Sequence, residues 1–142
     1  MNGPQFTSFN EGCRLTAYPD SLGFWTIGIG RHVGITEGQT CTQQQADDWF
    51  NEQDYPSAQH AASILIGADV WNGLNECRQA ALTDMCFQLG PSGLGKFTGM
   101  LAAIKTGDWQ GAHDECLDSL YAKQVPNRAN AVADLFLTGE WP

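Results

Sequence analysis

Residues 10–32 read NEGCRLTAYPDSLGFWTIGIGRH, and this run decides how the rest of the chain is organised. Leu15–Ala17 and Phe24–Ile29 are rich in aromatic and β-branched residues, which suit a pleated, half-buried surface. Between them stand the turn formers Pro19, Asp20, Ser21 and Gly23. The pattern predicts a β-hairpin, with a third short strand near Val33–Ile35. Upstream, Pro4–Glu11 predicts a short helix. Proline fits its opening turn, Phe6 and Phe9 are spaced to share a face, and Gly12 is a natural stop. Glu11 then closes a helix while Asp20 sits on the adjoining turn, which sets one carboxyl at the floor of the junction and the other on a loop facing it.

Downstream the texture becomes helical. Thr42 with Gln45 matches a capping box, and Ala46, Trp49 and Phe50 supply an apolar stripe. This helix is expected to run to about Leu65, kinked or divided at Pro56. Its other face carries Asp47, Asp48, Glu52 and Asp54, which reads as a solvated acidic surface. Asn75 caps a segment in which Ala81, Leu82, Met85, Cys86 and Leu89 recur at helical spacing, and Gly90 ends it. Further helices fit Phe97–Lys105, Trp109–Ala122 and Pro126–Leu137, with Gly139 after the last. The expected fold is α+β. A small β-containing lobe (about 13–41) is joined by a linking helix (about 42–66) to a larger helical lobe (about 67–142 plus the N-terminal helix), in one domain spanning 1–142. A cleft between such lobes suits an extended polymer.

Composition narrows the function. With 142 residues, 42% of them hydrophobic, the chain is long enough to bury a core. Sixteen acids against seven bases give a net charge of −9, which argues against nucleic acid. No apolar stretch approaches the roughly 18–20 residues of a membrane span, and the N-terminus has neither a basic nor an apolar leader region. Synthesis and folding in a cytoplasm are therefore expected. Cys13, Cys41, Cys77, Cys86 and Cys116 form no CxxC pair and read as reduced, mostly buried thiols. With His32, His60 and His113 scattered, neither a metal site nor a cofactor is expected.

Glycoside hydrolysis uses two carboxyl groups, one to protonate the departing oxygen and one acting on the opposite face of the sugar. A pair of acids such as Glu11 and Asp20 proves nothing alone, since most such pairs are solvated surface. The surrounding residues decide. Glu11, Gly12, Arg14, Leu15, Tyr18 and Asp20, followed by Thr26, Ile27, Gly28, Ile29 and Gly30, resemble the catalytic segment of the phage T4-type lysozymes, glycoside hydrolase family 24. ALTDMCFQLGPSGLGKFTGML (81–101) resembles that family's central helix and the segment after it. VPNRANAV and LFLTGEW, within 125–141, resemble its C-terminal signature, so the likeness covers essentially the whole chain.

The resemblance implies a lysozyme-like fold and roles for particular residues. Glu11 would be the general acid, Asp20 the carboxylate that activates water or stabilises the sugar cation, and Thr26 the hydroxyl that orients the water. By itself Thr26 is only a β-branched strand residue. Arg128 would position Glu11, although a neighbouring cation opposes the protonation that an acid catalyst needs. Gln88 and Phe87 would line the cleft, with Tyr18 and Gly30 shaping the hairpin side. The implied reaction is inverting hydrolysis of the β-1,4 bond between N-acetylmuramic acid and N-acetylglucosamine, with the carboxyls roughly 6.5–9.5 Å apart.

The implied setting is host lysis by a monomeric endolysin acting on the peptidoglycan glycan strand in the periplasm after holin-dependent release. A virion-associated wall-piercing domain is a variant. A lytic transglycosylase and a non-catalytic wall-binding protein are the rival readings. Bacterial walls are themselves anionic, so affinity must come from short-range contacts in the cleft. Two departures from the family pattern stand out. Arg31 precedes His32 where the family often has His directly after the glycine, so its structural His–carboxylate pairing is expected to be absent or shifted. The stretch from Gly30 to Thr42 is also short, which trims the small lobe and its outer sugar sites.

Overall fold

The computed structural model describes residues 1–142 and is α+β, as the sequence predicts. Helix α1 (Gly3–Glu11) opens on a capping box. The Asn2 side chain accepts from the Gln5 amide, and the Gln5 side chain accepts from the Asn2 amide. It ends at Gly12, whose amide donates to Ser8 O from φ 68° and ψ −173°. That conformation is nearly closed to residues with a Cβ, even though open space surrounds the position. Gly12→Val is therefore expected to cost about 1–3 kcal/mol through the backbone alone. Calorimetry should show a Tm lowered by several degrees, and an unchanged Tm would mean that the turn tolerates a side chain. Phe6 is buried, but Phe9 is 83% exposed, so the two do not share the core face expected of them. A three-residue step advances 300° around a helix, so Phe9 stands about 60° round the axis from Phe6.

Strands β1 (Arg14–Pro19) and β2 (Trp25–Gly28) form the antiparallel hairpin, with Tyr18 opposite Thr26 and Pro19 opposite Trp25. The third strand expected near Val33–Ile35 is absent. Residues 33–38 turn through Gly34 and Gly38, both at positive φ, and Val33 is exposed. What lies beside β1 is a single bridge, Thr16 to Thr40, flanked by Ala17 N–H donating to Gln39 O and Cys41 N–H to Leu15 O.

Helix α2 (Gln43–Trp49) begins at the Thr42–Gln45 capping box. It passes through one π-helical turn (Phe50–Asp54) into α3 (Tyr55–Ile66). Pro56 lacks the amide that would bond one turn back, and the wider turn, in which Tyr55 N–H reaches Phe50 O, accommodates the loss without a break. Helices α4 (Ala68–Gly73), α5 (Glu76–Gly95), α6 (Thr98–Lys105), α7 (Trp109–Leu117), α8 (Leu120–Gln124) and α9 (Pro126–Thr138) build the larger lobe. The single helix expected over Trp109–Ala122 is two, because Ser119 caps a new one by accepting from the Ala122 amide. Gly90 leaves helical geometry as expected, but the chain resumes a helical course at Pro91 within the same element.

Ala80 to Cys86 are buried without interruption, since α1, α3 and α9 enclose the first half of α5. The core is therefore wider than one stripe and takes in Thr83 and Asp84. Ile29, Phe50 and Tyr55 form a second, smaller cluster against Phe87, fastening the hairpin lobe to α5. Of the thiols, Cys77, Cys86 and Cys116 are buried as expected, whereas Cys13 is exposed and Cys41 half-buried. No helix is long and apolar enough to cross a membrane.

Candidate active site

Between the lobes lies a cavity of about 720 Å³. Glu11, Tyr18, Asp20, Thr26, Gly30, Phe87, Gln88 and Arg128 all line it, so the structure brings together every site residue predicted from sequence. They arrive from α1, the hairpin, the end of the buried part of α5, and the first turn of α9.

Glu11 is held from two sides. Arg128 Nη1 stands 2.9 Å from Glu11 Oε1, and the carboxyl is only 16% exposed. On the other side is Gly30, where an added Cβ would come within 2.7 Å of Glu11 Oε2 and 3.0 Å of Phe87. Gly30 thus provides room for the acid, and its φ of +71° also favours glycine. Phe87 is set by Phe50, edge-on at 5.5 Å between ring centroids.

Arg128 is anchored in turn by Asp84, which lies in the buried run of α5 and which the sequence reading missed. Arg128 Nε donates to Asp84 Oδ2 at 2.9 Å and Nη2 to Oδ1 at 3.1 Å. Thr7 Oγ1 donates to Oδ1 at 2.7 Å, and Asn10 Nδ2 at 3.4 Å. The fully buried carboxylate therefore ties α1, α5 and α9 together and spends two arms of the guanidinium fork, leaving the third for Glu11. Burial by itself would lower the Arg128 pKa, but Asp84 and Glu11 outweigh it and raise it, so the cation persists at every working pH. The signal was available: Asp84 is a lone acid inside the apolar run ALTDMC.

Across the cavity, Asp20 Oδ1 accepts from the amides of Leu22 (2.9 Å) and Phe24 (2.8 Å). This turn fixes the carboxylate and leaves Oδ2 without a protein partner. Thr26 is buried and donates its hydroxyl to Phe24 O at 3.0 Å, which leaves its oxygen lone pairs free to accept. Burial, and next the Glu11 carboxylate, raise the pKa of Tyr18, so its phenol stays protonated. Gln88 lines the cavity, and its Oε1 is buried with no hydrogen-bond partner in the protein.

The sequence matches the phage lysozyme family over residues 8–131. The chain belongs to the phage lysozyme family. Among the relatives of this lysozyme is the pre-baseplate central spike protein Gp5 of Enterobacteria phage T4, 34% identical over 92% of this chain and 26% of that one. A probable T4-type lysozyme of Dictyostelium discoideum is 27% identical, covering 92% of this chain and 91% of its own. An endolysin of Salmonella phage P22 is 31% identical over 82% and 79% respectively. The chain thus spans nearly all of one relative and about a quarter of another. As a family member it is a glycoside hydrolase of the lysozyme type.

The lysozyme's departure at residue 31 has a structural answer. His32 forms no ion pair, while Arg31 meets Asp54 at 3.1 Å and lies over the Trp49 ring at 4.9 Å. Asp54 is therefore an ion-pair partner between the lobes and not part of the solvated acidic face expected of it. Burial raises the Asp54 pKa, and Arg31 offsets only part of that rise. An Arg–carboxylate pair keeps its cation through neutral pH, whereas a His cation would be lost there. In an Arg31→His variant the imidazole pKa would be raised by Asp54. Its stabilisation would be present below about pH 6.5 and lost as pH rises through the folded value. The expected result is a Tm deficit relative to wild type that grows by a few degrees between pH 6 and pH 8. A deficit independent of pH would show that position 31 contributes by packing alone.

Proposed function

We propose that this lysozyme hydrolyses the β-1,4 bond from N-acetylmuramic acid to N-acetylglucosamine in bacterial peptidoglycan, in one displacement with inversion. The observation that carries the reading is the presence of Glu11, Asp20 and Thr26 in the lining of one cavity. Glu11 gives its proton to the glycosidic oxygen as that oxygen leaves the anomeric carbon. A water bonds to the opposite face of the carbon and passes a proton to Asp20 Oδ2. Because the Thr26 hydrogen is committed to Phe24 O, its oxygen accepts one hydrogen of that water and turns the other toward Asp20. Solvent exchange then returns the proton from Asp20 to Glu11.

Arg128 orients Glu11 and leaves the proton transfer to the carboxyl. Tyr18 and Gly30 bound the sugar site on the hairpin side, Phe87 offers an apolar wall, and Gln88 lines the cleft with a hydrogen-bonding amide. A lytic transglycosylase needs no base for water, so a fixed Asp20 and an oriented Thr26 favour hydrolysis. A wall-binding protein without activity would need neither. Mass analysis of digested peptidoglycan tests this reading. Hydrolysis leaves reducing-end N-acetylmuramic acid, whereas transglycosylation leaves an anhydro end lighter by one water. Anhydro ends as the main product would overturn the assignment.

In the biological setting we propose, the monomeric enzyme is made in an infected cell, uses no cofactor, and reaches the periplasmic wall after a holin opens the inner membrane. The 34% identity to a phage spike protein favours a second setting, a wall-piercing domain carried by a virion. The chemistry is the same in both.

A further inference from the structure

We propose that Phe50, which does not line the cavity, is a positioning residue for bond cleavage, holding the Phe87 ring that confines the free oxygen of Glu11. The proposal rests on the glycan-cleaving reading above and adds to it a residue that touches no substrate.

Arg128 Nη1 takes Glu11 Oε1 at 2.9 Å, so Oε2 is the oxygen left to carry the proton that Glu11 gives. Gly30 and Phe87 border that atom. A Cβ built on Gly30 would stand 2.7 Å from Oε2 and 3.0 Å from Phe87 Cε1, so both face one small space. Gly30 is held in place, because Ile27 and Arg31 exchange backbone hydrogen bonds of 2.8 and 3.0 Å around it. Phe87 is a half-buried side chain on the cleft wall, and whatever stands behind it decides where its edge lies.

Phe50 stands behind it. The two rings meet edge-on at 5.5 Å, inclined at 64°, and Phe50 is only 2% exposed. The π turn puts it there. Residues five apart stand about 140° apart around an α-helix. The bond from Tyr55 N–H to Phe50 O closes a wider turn and brings the two side chains to one side. Their rings accordingly meet at 5.6 Å. Tyr55 extends the support, since its hydroxyl fills the space where a Cβ on Gly3 would stand, at the start of the helix that ends in Glu11. Ile29, next to Gly30, completes the cluster. One ring in the linking helix thus backs Phe87 and is itself supported, through Tyr55, on the helix that supplies the acid.

Proton transfer depends steeply on geometry, and a misplacement of about 1 Å costs on the order of 10²-fold. Phe50→Ala opens a void behind Phe87 into which the ring can swing, away from Oε2. The other contacts of the substrate stay as they were, so the loss falls on kcat.

The test measures kcat and KM on peptide-free glycan oligomers, well below the Tm of each variant. Phe50→Ala should lower kcat about tenfold with KM within about twofold of wild type, and Phe50→Leu should recover most of kcat. Ile104→Ala, in the other core cluster, should lose Tm to a similar degree and keep kcat. In a Phe87→Ala background, Phe50→Ala should lower kcat no further, because its effect passes through that ring. A wild-type kcat in Phe50→Ala would overturn the proposal, as would an equal loss in Ile104→Ala or a full further loss on top of Phe87→Ala. Should Phe50→Ala fail to fold, Phe50→Val leaves a smaller void, and a wild-type kcat there would overturn it equally. Those results leave the glycosidase reading standing, whereas a wild-type protein that cut no glycan bond would end both.

Discussion

Replacing Glu11 with Gln is expected to abolish the clearing of chloroform-treated Gram-negative cells while leaving the protein folded. Gln keeps the length of the side chain and an oxygen that can accept from Arg128 Nη1, so the network at the end of α1 stays joined. Arg128 also keeps the buried Asp84 carboxylate as its counter-charge, and the loss of charge at position 11 strands no cation. What the amide lacks is a proton to give to the leaving oxygen. General acid catalysis is worth about 10²- to 10⁴-fold, and the turbidity rate should fall by that order while Tm moves little. Clearing at the wild-type rate would remove Glu11 from the mechanism.

Asp84→Ala should damage stability and activity together. The substitution leaves the guanidinium of Arg128 largely buried, with Glu11 as its one remaining carboxylate, and deprives Thr7 of its acceptor. Removing one partner of a buried pair costs about 3–5 kcal/mol. For a chain of this size that lowers Tm on the order of 10 °C. Activity measured well below the new Tm should still fall, because Glu11 is aimed by an arginine that is no longer held on its other edge. Asp84→Asn keeps one acceptor and should lie between the two proteins in both measurements. A stable Asp84→Ala protein with full activity would show that Arg128 places Glu11 unaided.

The unequal legibility of the chain has a physical basis. Local chemistry spoke clearly where one or two neighbours fix the backbone. The Thr42–Gln45 box, the stop at Gly12 and the turn of Pro19 to Gly23 were all readable because their hydrogen bonds close within a few residues. The carboxylate pair was readable only through the family pattern around it, as spacing alone does not separate Glu11 and Asp20 from surface acids.

Features set by distant partners were not readable. Asp84 acts through Thr7 and Arg128, 77 and 44 residues away in sequence, and its stretch looked like simple core. The π turn before Pro56 depends on how α3 must continue along α5, and Asp54 became an ion-pair partner only once Arg31 had been carried to it. The third strand failed for a related reason. Val33 and Ile35 have strand-like side chains, but the glycines at 34 and 38 turn the backbone before a ladder can form.

Two carboxyls acting on opposite faces of one sugar in a single displacement would invert its anomeric carbon. Proton NMR of the reducing ends released in the first moments of digestion, before mutarotation, reads that directly. The expected product is the α-anomer of N-acetylmuramic acid, formed by wild type and not by Asp20→Ala. A β-anomer or an anhydro sugar at early times, or an undiminished rate in Asp20→Ala, would contradict the account.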